Sequence, residues 1–272
     1  MHYVKPSVHK VKSPLKKILS ISDLHLPFCD MSQAKDVILA NTDAEDLIIN
    51  GDLFDSYQIS TFSKERHIPF LEEYLMATEL IDFCAEHFKR VILVDGNHEV
   101  GRFQVEIGKL EPSLRFLQKT SPMAYLAHGD RFSKTGTHIG AEPRDNVIYA
   151  GDVSDESWNI KIGNCLFAHR IRGYKSGPMA NITHMADYFI KAGKSFQCLV
   201  AGHSHHAGTA PYLGRLLIDQ GCLCQPQGYA NSGGCASYPI DAGYAVVYMD
   251  ASGNVDFSKS RHVYLGIYSQ KT

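Results

Sequence analysis

Two stretches decide how this chain folds: Lys17-Ile-Leu-Ser-Ile-Ser-Asp-Leu-His25 and Asp46-Leu-Ile-Ile-Asn-Gly-Asp-Leu-Phe-Asp55. Each is a short aliphatic run, of strand rather than helix length, that stops abruptly at Gly, Asp or His. Arg90-Val-Ile-Leu-Val-Asp-Gly-Asn-His98 repeats the pattern, and Gln197-Cys-Leu-Val-Ala-Gly-His-Ser-His205 repeats it again. Helical character lies between the runs: residues 33–40, then 70–88, with apolar residues at 71, 74, 75, 80, 81, 84 and 88. Strands alternating with helices predict βαβ units whose parallel strands are buried on both faces, the α/β class.

Outward from these runs the chain is less uniform. Residues 1–16 form a basic lead, and 17–272 are expected to be one folded unit. Residues 99–158 are irregular: 103–118 reads as helix apart from Gly108 and a break at Pro112, and 135–155, rich in Gly, Asp and Ser, reads as loops over the site. Residues 158–168 alternate through Ile160, Ile162 and Leu166 as one strand ending at His169, and 179–192 reads as a helix. Strands are expected at 209–212, 215–219, 244–249 and 262–268, with turn chemistry at Asp250-Ala-Ser-Gly-Asn254.

Composition excludes several classes of protein. With 272 residues and 44% apolar content the chain can bury a large core, which excludes predominant disorder. No apolar run approaches the roughly 20 residues of a membrane span. A net charge of −2 supplies no general basic field for nucleic acid. Seven scattered cysteines and no secretory leader point to a reducing compartment, the cytoplasm. Cys222 and Cys224 lack a second pair to complete a metal or redox motif and read as strand residues.

The fourteen histidines call for a chemical explanation. Each strand-like run ends in Asp, Asn or His, and in open α/β sheets ligands bind beyond the carboxyl ends of the strands. The clusters are therefore expected to converge on one site. Carboxylate, amide oxygen and imidazole suit Mn, Fe, Zn or Ni rather than an iron–sulfur cluster.

Asp23-Leu-His25, Gly51-Asp52-Leu-Phe-Asp55, Gly96-Asn97-His98-Glu99 and Gly202-His203-Ser204-His205, in that order, resemble the signature blocks of the calcineurin-like metallophosphoesterases. The resemblance implies two stacked mixed β-sheets flanked by helices, an α/β/β/α sandwich, with the tail after residue 209 completing the second sheet. It also implies a binuclear centre: one ion on Asp23, His25, Asp52 and His205, the other on Asp52, Asn97, His169 and His203, with Asp52 bridging. Mn²⁺ is the expected metal, with Zn²⁺, Fe and Ni²⁺ as alternatives. A hydroxide bridging the two ions would attack a phosphate ester, and His98 would stabilise charge or protonate the leaving oxygen. Asp55 would orient a ligand histidine, and Glu99 would support the site or begin a helix rather than bind metal. Gly202 would allow the bend that turns His203 and His205 inward together.

Two points stay open in the sequence. The seventh ligand is His169, after an alternating strand, or His128, in Tyr-Leu-Ala-His128-Gly-Asp130; the architecture favours His169. The expected substrate is a phosphodiester of a nucleotide or nucleic acid, because Gly51-Asp-Leu-Phe-Asp55 resembles the nuclease and nucleotide-phosphodiesterase branches of the family. Ser56-Tyr57 after Asp55, in place of the Asp-Arg-Gly of protein phosphatases, weighs against a protein phosphatase. A phosphomonoesterase or protein phosphatase, a nucleotide-sugar pyrophosphohydrolase and a non-catalytic metal-binding scaffold are the alternatives. Arg102, Arg170, Arg172 and Lys175 are candidate phosphate contacts, each also readable as a surface charge.

Overall fold

The computed structural model describes residues 14–61, 64, 66–115, 118–119, 121–129, 131–133, 138–140, 142–170, 173, 175, 177–226 and 240–268. Most of the basic lead, Arg172 and Cys235 lie outside these residues. The first half runs β1 Lys16–Ile21, α1 Met31–Leu39, β2 Asp46–Asn50, α2 Phe70–His87 and β3 Arg90–Val94. A π-helical turn, His98–Phe103, leads into α3 Gln104–Gly108, α4 Pro112–Arg115 and α5 Pro122–His128. Then come β4 Arg131–Ser133, β5 His138–Gly140, β6 Val147–Tyr149, α6 Ala150–Val153, β7 Asn159–Ile162 and β8 Cys165–Ala168. The chain continues with α7 Ala180–Lys191, β9 Cys198–Ala201, β10 Ala207–Tyr212, β11 Arg215–Gln220, β12 Ile240–Met249 and β13 Arg261–Tyr268.

The strands form a six-stranded sheet, β13-β12-β1-β2-β3-β6, a five-stranded sheet, β10-β11-β9-β8-β7, and the small hairpin β4-β5. Side chains on a strand alternate between faces, so the continuous apolar runs divide between two cores. Ile18, Ile48 and Ile92 meet Phe167, Cys198, Val200 and Ile218 between the sheets. Leu19, Ile21, Leu47, Ile49, Val91 and Leu93 face α1, α2 and α5 on the other side. Leu199 and Ala201 turn to Ile182, Met185 and Phe189 of α7. The layers are helix, sheet, sheet, helix, the expected sandwich. None of the described helices is long and apolar enough to cross a membrane.

Several local expectations are corrected. The alternating run 158–168 is a hairpin, β7 antiparallel to β8, because Gly163 adopts φ 55° and turns the chain there. Within 135–155, expected to be loop, β6 extends the first sheet beside β3. The tail divides between the sheets: β10 and β11 complete the second, whereas β12 pairs antiparallel with β1 and carries β13 at the edge of the first. β12 is buried along most of its length, so it fits against a strand covered on both sides, which the open flank of β1 offers. On α2 the buried stripe runs through Tyr74, Ala77, Leu80, Ile81 and Cys84, while Leu71 and Leu75 face solvent.

Candidate metal centre

The site lies where strands of both sheets end. Asp23 follows β1, Asp52 follows β2, Asn97 follows β3, His169 follows β8 and His203 follows β9. The loops after β1 and β2 remain laced by backbone bonds: Asp23 N–H donates to Gly51 O (3.1 Å), His25 N–H to Asp52 O (3.0 Å) and Leu26 N–H to Leu53 O (2.9 Å). That lacing fixes the spacing of Asp23, His25 and Asp52.

The side chains are turned inward by unusual backbone. Asp23, His25, Asp52, Ser56, His203 and His205 have φ between 46° and 85°, the left-handed region that non-glycine residues avoid. Each such residue costs on the order of 1–3 kcal/mol and persists only when its surroundings impose it. The bend at His203 and His205 is carried by these two residues themselves. Gly202, expected to allow the bend, supplies clearance instead: a Cβ there would collide with Ser22 Oγ and approach Asp23 Oδ2 to 2.7 Å. At Gly96 a Cβ would collide with the carboxylate and backbone of Asp52.

Hydrogen bonds determine which ring nitrogens face the centre. A carbonyl only accepts, so a ring nitrogen against one carries the hydrogen, and in the neutral ring the other nitrogen has the lone pair. His169 Nδ1–H donates to Asn50 O (2.8 Å), leaving Nε2 directed to Asp52 Oδ2 at 3.2 Å. His203 Nε2–H donates to Gly173 O (3.2 Å), leaving Nδ1 against the Asn97 amide at 2.7 Å. His25 Nδ1 lies 3.2 Å from Asp55 Oδ1, and its Nε2 lies 3.1 Å from His205 Nε2. His205 Nε2 is also 3.1 Å from Asp23 Oδ1. Asp52 Oδ2 stands between the two groups, 3.7 Å from His25 Nε2 and 3.2 Å from His169 Nε2.

This donor set suits cations. Two ligands each about 2.1 Å from one ion are roughly 3 Å apart, the separation seen repeatedly here. The Asn97 amide lies among Asp52 Oδ2, His169 Nε2 and His203 Nδ1, where its NH₂ can donate to them or its oxygen can turn to a cation. Protons show the same demand for positive charge. Burial disfavours charged His169, but Asp52 and Asp23 outweigh it and push its pKa up to about 9. Burial would raise the pKa of Asp23, yet His169 and His205 hold it well below the usual carboxylate range. Among the described residues, donor atoms of His25, Asp52 and His98, of Asp52, His169 and His203, and of His25, His205 and Cys224 lie within 4.8 Å of one another in each group.

All seven expected ligands converge, and His98 stands beside them. Its N–H donates to Asp52 Oδ1 (2.9 Å), its Nδ1–H donates to Asp55 O (2.8 Å), and Nε2 looks toward Asp52 Oδ2 at 3.9 Å. Burial first, with the positive charges of Arg102 and His25, pushes the His98 pKa down to about 3, against the pull of Asp52 and Asp55. Arg102 is anchored on Asp55, at 2.5 Å from its carbonyl oxygen and 3.4 Å from Oδ2. His128 is elsewhere: Leu126 and Ala127 belong to helix α5 rather than a strand, and His128 Nε2 pairs with Asp152 at 2.7 Å.

Some supporting residues escaped the sequence reading. Glu73, on the buried face of α2, accepts from Ser56 N–H (2.7 Å) and Tyr57 N–H (2.9 Å) and holds the strained turn after Asp55. Asp219 accepts from Ser204 Oγ (2.7 Å) in the His203–His205 loop. A carboxylate within an otherwise apolar stripe was the only available signal. Cys224, read as a strand residue, follows β11 in an isolated antiparallel bridge to Cys29 and reaches His25 and His205.

Glu99 supports the site without facing the centre. Its Oε2 accepts from Gly96 N–H (2.8 Å) and Asp52 N–H (3.1 Å), and its Oε1 accepts from Phe54 N–H (3.0 Å). One buried carboxylate thus ties the second block to the third. Glu99→Ala would strand three buried donors, each worth about 1–3 kcal/mol. Denaturant unfolding should therefore show a loss of about 3 kcal/mol or more, together with weakened metal retention. A loss below about 1 kcal/mol, the least that one stranded donor costs, would mean that the loops hold without Glu99.

The family model for calcineurin-like phosphoesterase matches residues 16–207. Among the curated proteins, none matches this sequence. Among solved structures, the chain is similar to a single mutant of Vps29 from Entamoeba histolytica, at 14% identity over 92% of this chain and 99% of that one, TM-score 0.41. A predicted phosphoesterase from Streptococcus pneumoniae aligns at 12% identity over 93% and 99%, TM-score 0.35. An archaeal phosphodiesterase aligns at 14% over 92% and 99%, TM-score 0.40. The family match takes in every block that meets at the centre, and the chain belongs to the calcineurin-like phosphoesterases, a family of metal-dependent phosphoester hydrolases.

Proposed function

We propose that this protein hydrolyses phosphodiesters of nucleotides or nucleic acid at a binuclear centre. Asp23, His25, Asp52 and His205 would hold one ion, and Asp52, Asn97, His169 and His203 the other. The observation that carries the proposal is the convergence of nitrogen and oxygen lone pairs on both sides of Asp52 Oδ2. Two divalent cations in such a site supply an activated water as nucleophile and neutralise the phosphoryl charge during displacement. The chain's own task is to keep lone pairs inward, through Asn50 O on His169, Gly173 O on His203 and Asp55 near His25. Carboxylate, amide and imidazole donors admit Mn²⁺, the metal of this reading, with Zn²⁺, Fe and Ni²⁺ as alternatives.

The preference for diesters rests on the two residues after the second block. Ser56-Tyr57 stands where an arginine would grip the extra charge of a monoester, and Arg102 is held by Asp55. Chain loaded with Mn²⁺ should cleave bis-nitrophenyl phosphate and dinucleotides faster than nitrophenyl phosphate, with two ions per chain by metal analysis. Faster monoester cleavage would overturn the substrate class, and a single ion per chain at saturation would overturn the centre.

A further inference from the structure

The two halves of the centre differ in their surroundings. Around His169 and His203 the neighbours are Asn97, Asp52 and backbone carbonyls, all oxygen. Around His25 and His205 there is sulfur. The Cys224 thiol and one ring nitrogen from each of these histidines lie within 4.8 Å of one another, and Cys224 is 1% exposed.

The backbone holds this thiol in place. Leu223 N–H and Cys224 N–H both donate to Asp23 O, at 3.2 and 3.0 Å. Gln225 N–H donates to Phe28 O (2.8 Å), and Cys224 bridges antiparallel to Cys29. Cys222, two residues earlier, turns its own Sγ to Asp241 O at 3.5 Å. The segment carrying Cys224 is therefore fastened to the same residue, Asp23, whose Oδ1 contacts His205. Independently of the cysteine, His25 Nε2 and His205 Nε2 lie 3.1 Å apart, about the separation of two ligands on one ion.

We infer that Cys224 is a ligand of the cation held between His25 and His205, and that this half of the centre selects a thiophilic ion such as Zn²⁺ or Fe²⁺ over Mn²⁺. The inference rests on the binuclear reading for the presence of the ion and refines it: the softer half takes the thiophilic ion, and the Asn97 half remains suited to Mn²⁺. On binding, the S–H bond breaks, a sulfur–metal bond forms and the proton passes to solvent, so loading releases a proton that a serine at this position would not supply.

The full-length chain loaded with Co²⁺, a spectroscopic substitute for Zn²⁺, tests this. The wild type should show a thiolate-to-cobalt charge-transfer band in the near ultraviolet. Cys224→Ser and Cys224→Ala should lose it, and Cys222→Ser should keep it. Zn²⁺ affinity of Cys224→Ser should fall by at least about tenfold, the lower end of what even an outer partner of a ligand contributes, while Mn²⁺ affinity is unchanged. X-ray absorption of the Zn²⁺-loaded wild type needs no variant to fold: it should show a sulfur scatterer at about 2.3 Å beside nitrogen and oxygen at about 2.0–2.2 Å. Two bound cobalt ions with no charge-transfer band, or a purely nitrogen and oxygen shell around zinc, would overturn the inference and leave the binuclear centre standing. A band lost in Cys222→Ser and kept in Cys224→Ser would assign the thiolate to Cys222 and overturn it as stated. A chain that binds no cobalt would overturn the centre and this ligand together.

Discussion

Asp52→Asn should lower kcat/KM by about 10³-fold or more and reduce the content of both metal ions. One electrostatic contact at a reacting centre is typically worth about 10²–10³-fold, and Asp52 faces both halves of this site. Its Oδ2 lies 3.7 Å from His25 Nε2 and 3.2 Å from His169 Nε2, while its Oδ1 accepts from His98 N–H at 2.9 Å. Burial alone would raise its pKa, but His169, His98 and His25 hold it far below the carboxylate range, so the residue is anionic at neutral pH. The substitution removes that charge with little change in shape. Asn also tolerates the left-handed conformation that Asp52 adopts at φ 50°, so the fold should survive. Elemental analysis and circular dichroism, read beside the rate, separate loss of metal from loss of structure. His205→Ala should deplete chiefly one ion. A folded Asp52→Asn protein that retains both ions and full activity would exclude Asp52 as the bridge.

His98→Gln should have the opposite pattern, with both ions kept and turnover reduced by about 10²–10⁴-fold, the usual range for an acid–base group. The imidazole is anchored at Nδ1 by Asp55 O, which leaves Nε2 for the substrate side. Because burial pushes its pKa down to about 3 in the free protein, the proton on Nε2 must be stabilised by the arriving phosphate and the developing charge on the leaving oxygen. The defect should therefore be greater for nucleoside and alkyl leaving groups than for nitrophenolate, which departs with little protonation. Equal impairment on both kinds of ester would indicate positioning or charge stabilisation. Full activity on a poor leaving group would remove His98 from the reaction, and loss of metal would make it a ligand.

The choice between His128 and His169 shows where local sequence carries enough information and where it does not. Both follow Ala and an apolar residue, and they differ in what comes next, Gly129 after His128 and Arg170 after His169. Ser121 accepts from Met123 N–H, Pro122 sits in the first turn and Gly129 ends the segment at φ 66°, a full set of helix boundaries around residues 122–128. Those signals are present in the chain. The four residues Tyr-Leu-Ala-His alone do not reveal them, because so short a window fits strand and helix equally well.

What the sequence determined alone was the set of strand ends and the chemistry placed there. Short aliphatic runs that end in Asp, Asn and His carry their meaning locally, since strand length and ligand type are properties of neighbouring residues. Tertiary structure decided what depends on long-range pairing. β12 joined β1 rather than the second sheet because its burial required a partner covered on both faces. Glu73, Glu99 and Asp219 became supports because distant backbone N–H groups and a hydroxyl came to rest on them, and Cys224 reached His25 and His205 because its segment is bonded to Asp23. The left-handed turns at Asp23, His25, Asp52, His203 and His205 leave no mark in composition or periodicity. They are unfavourable for each residue by itself, and only packing from both sheets and the hydrogen bonds between loops hold them in place.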